Sequence, residues 1–335
     1  MKANNLHEHL TTFFTKYLQM ERGVSRNTID TYKLTFLLLI RFFETVKQIK
    51  VNKLAACHIT KDNIVDFLNW LQEKRKCGNL TRNNRLAAIR SFCKYLQYQE
   101  LDNLYECQKI LSIRQKKTSQ KVISYLTIEG IELLLKQPNT STRSGRRDLV
   151  LLMFTYETGA RVQEVIDFAP LNLTFSSTST VILKGKGNKE RCVPVSKTLA
   201  KYLQSYMNEN ELSYKSLNSM FFNKYGAKLT RGGMAYILAK YGDMAKQIKP
   251  SLIPNDLHCH CLRHSRAMCL LNEGFPLVYI RDYLGHVSIT TTEIYARIDS
   301  KQKKEALEKI SGLEVNIGKK SWQKDNNLMK MLKNL

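Results

Sequence analysis

Leu284-Gly285-His286-Val287-Ser288-Ile289-Thr290-Thr291-Thr292-Glu293-Ile294-Tyr295 is the stretch on which the reading of this chain turns. Gly285 stops one helix, His286 follows it, and Thr290 or a neighbour caps the next, which carries Tyr295 about one turn in. Taken singly, Tyr295 reads as a packed core tyrosine. Upstream lies His258-Cys259-His260-Cys261-Leu262-Arg263-His264, where His260 and Arg263 are three apart and share a helix face. Three His and two Cys invite a zinc reading. A structural zinc site draws spaced pairs from separate segments, however, and no partner pair occurs elsewhere, so no metal is expected.

Two further stretches precede these. In Thr158-Gly159-Ala160-Arg161-Val162-Gln163-Glu164-Val165, Gly159 breaks a buried helix and Arg161 opens the next, where a guanidinium and free backbone N–H groups can meet a phosphate. In Lys184-Gly185-Lys186-Gly187-Asn188-Lys189-Glu190-Arg191, alternating Lys and Gly in a turn can bring an ammonium close to a backbone. Each is weak alone: one is a surface Arg after a Gly, the other a solvated turn.

Around these motifs the chain divides. Residues 1–112 read as helical. Ser25 caps a helix with Ile29, Tyr32, Phe36, Leu37, Ile40 and Phe43 on its apolar face, and Thr60 caps another bearing Ile64, Phe67, Leu68 and Leu71. A third, from about 81 to 98, has Leu86, Ile89, Phe92, Cys93 and Leu96 on one face. Its opposite stripe, Asn83, Ala87, Arg90, Ser91 and Lys94, suits a DNA groove, although an ordinary solvated face looks the same. Residues 113–121, IRQKKTSQK, form a basic linker with Arg114, Lys116, Lys117 and Lys121. Residues 122–312 alternate helices with β-patterned segments near 172–175, 180–184 and 190–195, the last two joined by the GKGNKE turn. A helix opened by Thr127 and a nearly all-round apolar one over about 146–158 precede them, and helices resume from about 197, the last opened by Ser300 and closed by Gly312. Residues 313–335 are a tail with Leu328, Met331, Leu332 and Leu335 at helical spacing. The expected fold is mainly α with a small antiparallel β-sheet: an N-terminal helical DNA-binding domain, a linker and a catalytic domain.

Composition narrows the partner. The 335 residues carry 53 Lys and Arg against 29 Asp and Glu, a net charge of +24. A single-sign field of that size calls for a polyanion, and nucleic acid fits best. A membrane surface is met by one basic amphipathic helix, whereas here the basic residues are spread. Hydrophobic residues at 43% exclude wholesale disorder, and no run approaches the roughly 20 apolar residues of a membrane span. The eight cysteines contain no CxxC pair, which reads as free thiols in a cytoplasmic, nucleoid-associated protein.

Together the stretches compose a reaction. A phosphodiester under attack gathers negative charge on its equatorial oxygens; two Arg forks neutralise it and His donors add hydrogen bonds. A mobile Lys supplies the leaving oxygen with a proton, and a tyrosine hydroxyl serves as nucleophile. No carboxylate cluster for a divalent metal is evident.

The order Arg161, Lys in GKGNKER, HxLRH, LGH and a Tyr nine residues beyond that His resembles the tyrosine recombinases, or phage-integrase family, most nearly its Xer-like and mobile-element members. The likeness covers nearly the whole chain. It implies that Arg161 and Arg263 clamp the scissile phosphate, and that Lys186 is the general acid, with Lys184 the competing choice. It implies further that His260 assists proton transfer at the nucleophile, His286 donates to a non-bridging oxygen, and Tyr295 forms a 3′-phosphotyrosyl bond. Glu164 orients the site, and His264 packs in support. Gln163 departs from the small polar residue many relatives have there, with no catalytic consequence. The family implies double-stranded DNA with inverted core sites, a homotetramer in the synapse, a monomer or weak oligomer when free, no membrane and no cofactor, and leaves room for an accessory DNA-bending protein. In the family a C-terminal segment docks onto the neighbouring protomer, which suggests the same for the tail. A type IB topoisomerase-like enzyme shares Arg, Lys, Arg, His and Tyr, but the LGH box and the helical domain argue for a recombinase. An intact set of six residues argues against a catalytically silent DNA-binding accessory protein.

Overall fold

The computed structural model describes residues 6–118, 123–185, 189–286 and 288–298. It is mainly helical with one small antiparallel sheet, as the sequence leads one to expect, and the chain divides into two compact units at Lys121 and Val122. None of the described helices is long and apolar enough to cross a membrane.

The first unit is built from α1 (Leu6–Thr12), a π-type continuation (Phe13–Glu21), α2 (Arg26–Thr45), α3 (Lys61–Glu73), α4 (Asn79–Gln99) and α5 (Leu104–Leu111). Its core is aromatic: Phe13 is fully buried, with its ring 5.2 Å from Phe92 and 6.1 Å from Phe36. Thr60 caps α3, its Oγ1 accepting from the Asn63 amide at 3.3 Å. On α2 the buried stripe runs through Ile29, Phe36, Leu39, Phe42 and Phe43, and Leu37 falls outside it, 64% exposed. The expected face included Leu37 because Leu37, Leu38 and Leu39 are consecutive and composition alone cannot choose among them; the positions of Phe36 and Phe43 decide.

In the second unit, α6 (Ile128–Leu135) and α7 (Arg143–Thr158) are capped by Thr127 and Thr142, whose hydroxyls accept from the amides of Gly130 and Gly145. Helix α7 starts three residues before the expected Arg146 because the cap is Thr142. It is central, burying Leu149, Val150, Leu151, Leu152 and Phe154. After α8 (Val162–Ile166) come β1 (Leu173–Thr174), β2 (Thr180–Lys184) and β3 (Glu190–Pro194), antiparallel in that order, with Val181 opposite Val193 and Lys184 opposite Glu190. Val181, Leu183 and Val193 turn inward. The helices α9 (Lys197–Glu209), α10 (Arg231–Ile248), α11 (Cys259–Asn272), α12 (Leu277–Leu284) and α13 (Thr290–Ile298) complete the described chain. The helix expected from Ser300 to Gly312 and the tail 313–335 lie outside the described residues.

Candidate active site

Two left-handed glycines place the site. Gly159 ends α7 at φ +57° and Gly285 ends α12 at φ +66°, a conformation that strains any side chain. The space is closed as well: a Cβ on Gly159 would lie 2.7 Å from Leu284 Cδ2, and one on Gly285 would lie 3.0 Å from Arg191 Cδ. The two helix ends thus meet with their terminal carbonyls turned to one point. Arg263, on α11, donates from Nη1 to Gly159 O and from Nη2 to Leu284 O, both at 2.6 Å, and Arg161 donates from Nη2 to Gly285 O at 3.2 Å. Helix C-termini carry partial negative charge, so they hold these guanidinium groups without neutralising them.

Glu164 locks the rest. Its carboxylate accepts from Arg161 Nη1 at 2.9 Å and from the Arg161 amide at 2.8 Å, closing the first turn of α8 on itself. It also accepts from Arg191 Nη1 at 3.0 Å and Nη2 at 2.6 Å. Burial alone would raise the Glu164 carboxyl; the contacts of Arg191 and Arg161 outweigh it and hold the group below the usual carboxylate range. Arg191, on β3, also donates to Tyr283 O and so ties the sheet to the end of α12. Burial, then Arg161 and Arg191, presses the Arg263 guanidinium down. Three guanidinium groups against one carboxylate make a site built for an anion.

The histidines sit in this field as neutral rings. Burial, then Arg263, Arg161 and Arg191, pushes His286 down to about 3, and its Nδ1 lies 2.9 Å from Thr292 Oγ1 on α13. His260 is lowered as well, by burial and then by Arg263 and His258. Tyr295 is 1% exposed and raised to about 12 by burial, with Arg263 and Arg161 pulling the other way. Its Oη lies 2.8 Å from Nδ1 of His264, not from His260. His258 contacts Cys261 within its own turn, Nδ1 to Sγ 3.1 Å.

The structure therefore brings Arg161, Glu164, His260, Arg263, His286 and Tyr295 into one cluster. Lys186 lies outside the described residues. Its neighbour Gly185 lies where a Cβ would be 3.4 Å from Glu164 Oε1, at the edge of the cluster, while Lys184 pairs with Glu190 at 3.2 Å. Sequence reasoning missed Arg191 and the position of His264. The β alternation of Cys192 and Val193 was a usable signal for the first; His264 shares a helix face with His260 and was readable only as one of two choices.

The stripe expected to read DNA is partly occupied within its own unit. Asn83 is 8% exposed, with its Nδ2 donating to Lys116 O and its Oδ1 accepting from the Lys116 amide. Arg90 Nη2 donates to Leu111 O and Ile113 O, and Asn79 donates to Lys117 O. The expectation of a free face is thus corrected for Asn83 and Arg90: they bind the strap that follows α5. Lys94, Arg114, Lys116 and Lys117 are exposed, and Lys121 lies outside the described residues.

Comparison with known proteins agrees with this geometry. Residues 124–302 match the phage integrase family and residues 12–100 its N-terminal SAM-like domain. A putative integrase/recombinase, y4rC of Sinorhizobium fredii, is 32% identical, with 97% of each chain covered. The tyrosine recombinase XerD of Listeria monocytogenes is 30% identical over 85% of this chain and 92% of its own. The fold resembles that of the XerH site-specific recombinase solved bound to its difH substrate, with a TM-score of 0.66 at 23% identity over 91% of this chain and 88% of that one. The fold and the cationic cluster define a DNA strand transferase of the tyrosine-recombinase type. The chain belongs to the phage integrase family, and its reaction is site-specific recombination. The topoisomerase-like and catalytically silent alternatives are not favoured.

Proposed function

We propose that the protein cuts and rejoins DNA by attack of Tyr295 on a phosphate clamped by Arg161 and Arg263, forming a 3′-phosphotyrosyl link. The observation that carries this reading is the convergence of Arg161, Arg263, His286 and Tyr295 on one cationic cluster in which the carboxylate of Glu164 is spent on holding arginines. His286 donates to a non-bridging oxygen, and Lys186 protonates the departing 5′-oxygen. The phosphotyrosyl bond keeps the energy of the broken phosphodiester, so the chemistry needs no cofactor. The substrate is duplex DNA with inverted core sites, gripped also by Lys94, Arg114, Lys116, Lys117 and Lys121. Four protomers act on two duplexes in the synapse and part to monomers or weak oligomers when free, with the tail 313–335 docking onto a neighbour. The setting is the cytoplasm, with the nucleoid as the working surface, and an accessory DNA-bending protein is compatible with it.

Incubation with a nicked suicide duplex carrying the core site, mapped beforehand by footprinting, tests the nucleophile. The wild type is expected to migrate covalently joined to a 3′ end on a denaturing gel, and Tyr295→Phe to bind the DNA without joining it. An adduct from the Phe variant would show that another residue attacks.

A further inference from the structure

The family resemblance leaves His264 a packing role, yet His264 is the group that touches the reacting atom. Its Nδ1 is 2.8 Å from Tyr295 Oη, and the two rings lie tilted with centroids 5.7 Å apart. His260, one turn earlier on α11, has its ring centroid 5.6 Å from that of His264, and no hydrogen bond from it to Tyr295 is found among the described residues. Tyr295 is 1% exposed, so its phenolic hydrogen has almost no access to solvent, and no other hydrogen bond to its Oη is found among the described residues. Were Nδ1 the donor in this pair, that hydrogen would be left buried without an acceptor, which is unfavourable. The tautomer with its proton on Nε2 removes the difficulty, because Nδ1 then accepts from Oη.

Resting on the reading of Tyr295 as nucleophile, we propose that His264 is a catalytic residue: Nδ1 aims the tyrosine hydroxyl by accepting its hydrogen and takes that proton as Oη attacks phosphorus. The Oη–P bond forms and the P–O5′ bond breaks; the phenolic proton passes to Nδ1, and O5′ leaves with a proton from the general acid. In rejoining, the 5′-hydroxyl attacks phosphorus and gives its proton back to the general acid, the P–Oη bond breaks, and Nδ1 returns its proton to the departing Oη.

The field around His264 fits this use. Burial, then His260, His258 and Arg263, holds the ring down to about 4, so it stays neutral with its lone pair free at working pH. The other groups of the cluster are Tyr295, His286, Arg161, Arg191 and Glu164. A phosphate seated against Arg161 and Arg263 offsets their charge, which raises the basicity of His264 at the moment a proton must be accepted. The same contact gives Tyr295 a fixed direction before substrate arrives.

The test is single-turnover cleavage of the nicked suicide duplex by the full chain, comparing wild type, Tyr295→Phe, His264→Asn, His264→Gln and His264→Phe. DNA gel shifts establish that each variant is folded. Asn places an acceptor near the position of Nδ1 but cannot take a proton, so His264→Asn is expected to bind like wild type and to form adduct at least 100-fold more slowly, within the usual reach of acid–base catalysis. His264→Phe loses aim and proton acceptor together and should be slower still. Repeating the assay with a 5′-bridging phosphorothiolate, whose sulfur leaves without a proton, should rescue Lys186→Ala and leave the His264 defects in place. Adduct formation by His264→Asn or His264→Gln within threefold of wild type would overturn the proposal. So would a His264→Phe variant faster than wild type, which would make the contact a resting latch, or rescue by the phosphorothiolate. An adduct from Tyr295→Phe would instead overturn the nucleophile assignment itself, and the two failures are told apart in one gel.

Discussion

At the scale of single residues, the site holds its arginines with backbone carbonyls and spends its carboxylate on geometry. Glu164 is shared between Arg161 and Arg191, and Arg263 relies on the ends of two helices. The same positive field that awaits phosphate makes it costly to protonate the histidines. His264 and His286 sit at about 4 and about 3, below the roughly 6.5 of an unfolded chain. Between those values the unfolded state binds more protons, so stability is full above about pH 6.5 and falls as the pH drops toward 4. Thermal melting without DNA is expected at a lower temperature at pH 5 than at pH 7.5, with a shallower decline for His286→Asn, which removes one of the titrating rings. An equal decline in both proteins would place the acid sensitivity elsewhere. Tyr295, Arg161 and Arg263 were legible in the sequence because their order along the chain is distinctive. For Arg191 the β alternation signals only which face it shares; its value lies in reaching Glu164 across the fold, a contact that local spacing does not encode.

Among the elements, α4 behaves differently from its pattern. Its polar stripe suits a DNA groove or an ordinary solvated face alike, and the hydrophobic face opposite is buried as its pattern predicts: Leu86, Ile89, Phe92, Cys93 and Leu96 are all fully buried. The stripe's amide and guanidinium groups instead satisfy the backbone of the segment after α5, which has no strand or helix to do so. Periodicity reports which face is polar and cannot report whether water, DNA or the chain itself meets it. Asn83→Leu should leave the first unit folded while freeing residues 114–117. Trypsin is expected to cut the variant faster after Arg114, Lys116 or Lys117, whereas unchanged cutting would mean that Arg90 and Asn79 suffice to hold the strap. The β elements were legible because β-branched runs flank an obvious turn. The π-type segment Phe13–Glu21 was not, since its hydrogen bonding has no sequence signature beyond a helical apolar pattern.

For the whole molecule the dominant fact is the excess of 24 positive charges. Binding dominated by phosphate neutralisation predicts that log K falls linearly with log salt, by about 0.9 for each phosphate neutralised on B-DNA. Replacing Arg114, Lys116, Lys117 and Lys121 with Gln is expected to flatten that slope and to weaken non-specific sites along with the core site; titrations across a range of salt would read it. An unchanged slope would mean that the strap does not touch DNA. The basic run 113–121, with one apolar residue, Ile113, falls at the end of the first unit. That Ile113 is itself buried, and the strap fastened beyond it, depends on a surface of α4 that the linker's own sequence does not describe.

The fastened strap has a further meaning as a leash. Beyond Lys117, residues 118–123 lead to Ser124, which is anchored to Asp256 in the second unit. Once one unit has landed on DNA, the other searches at a local concentration set by the length of chain that joins them, which falls roughly as the −3/2 power of that length. Undoing the fastenings back to Leu111 would double the joining length, from about six residues to about twelve, and dilute the second unit about threefold. Asn83 and Arg90 can therefore strengthen the grip on DNA without touching it, by keeping the second hand close to the first.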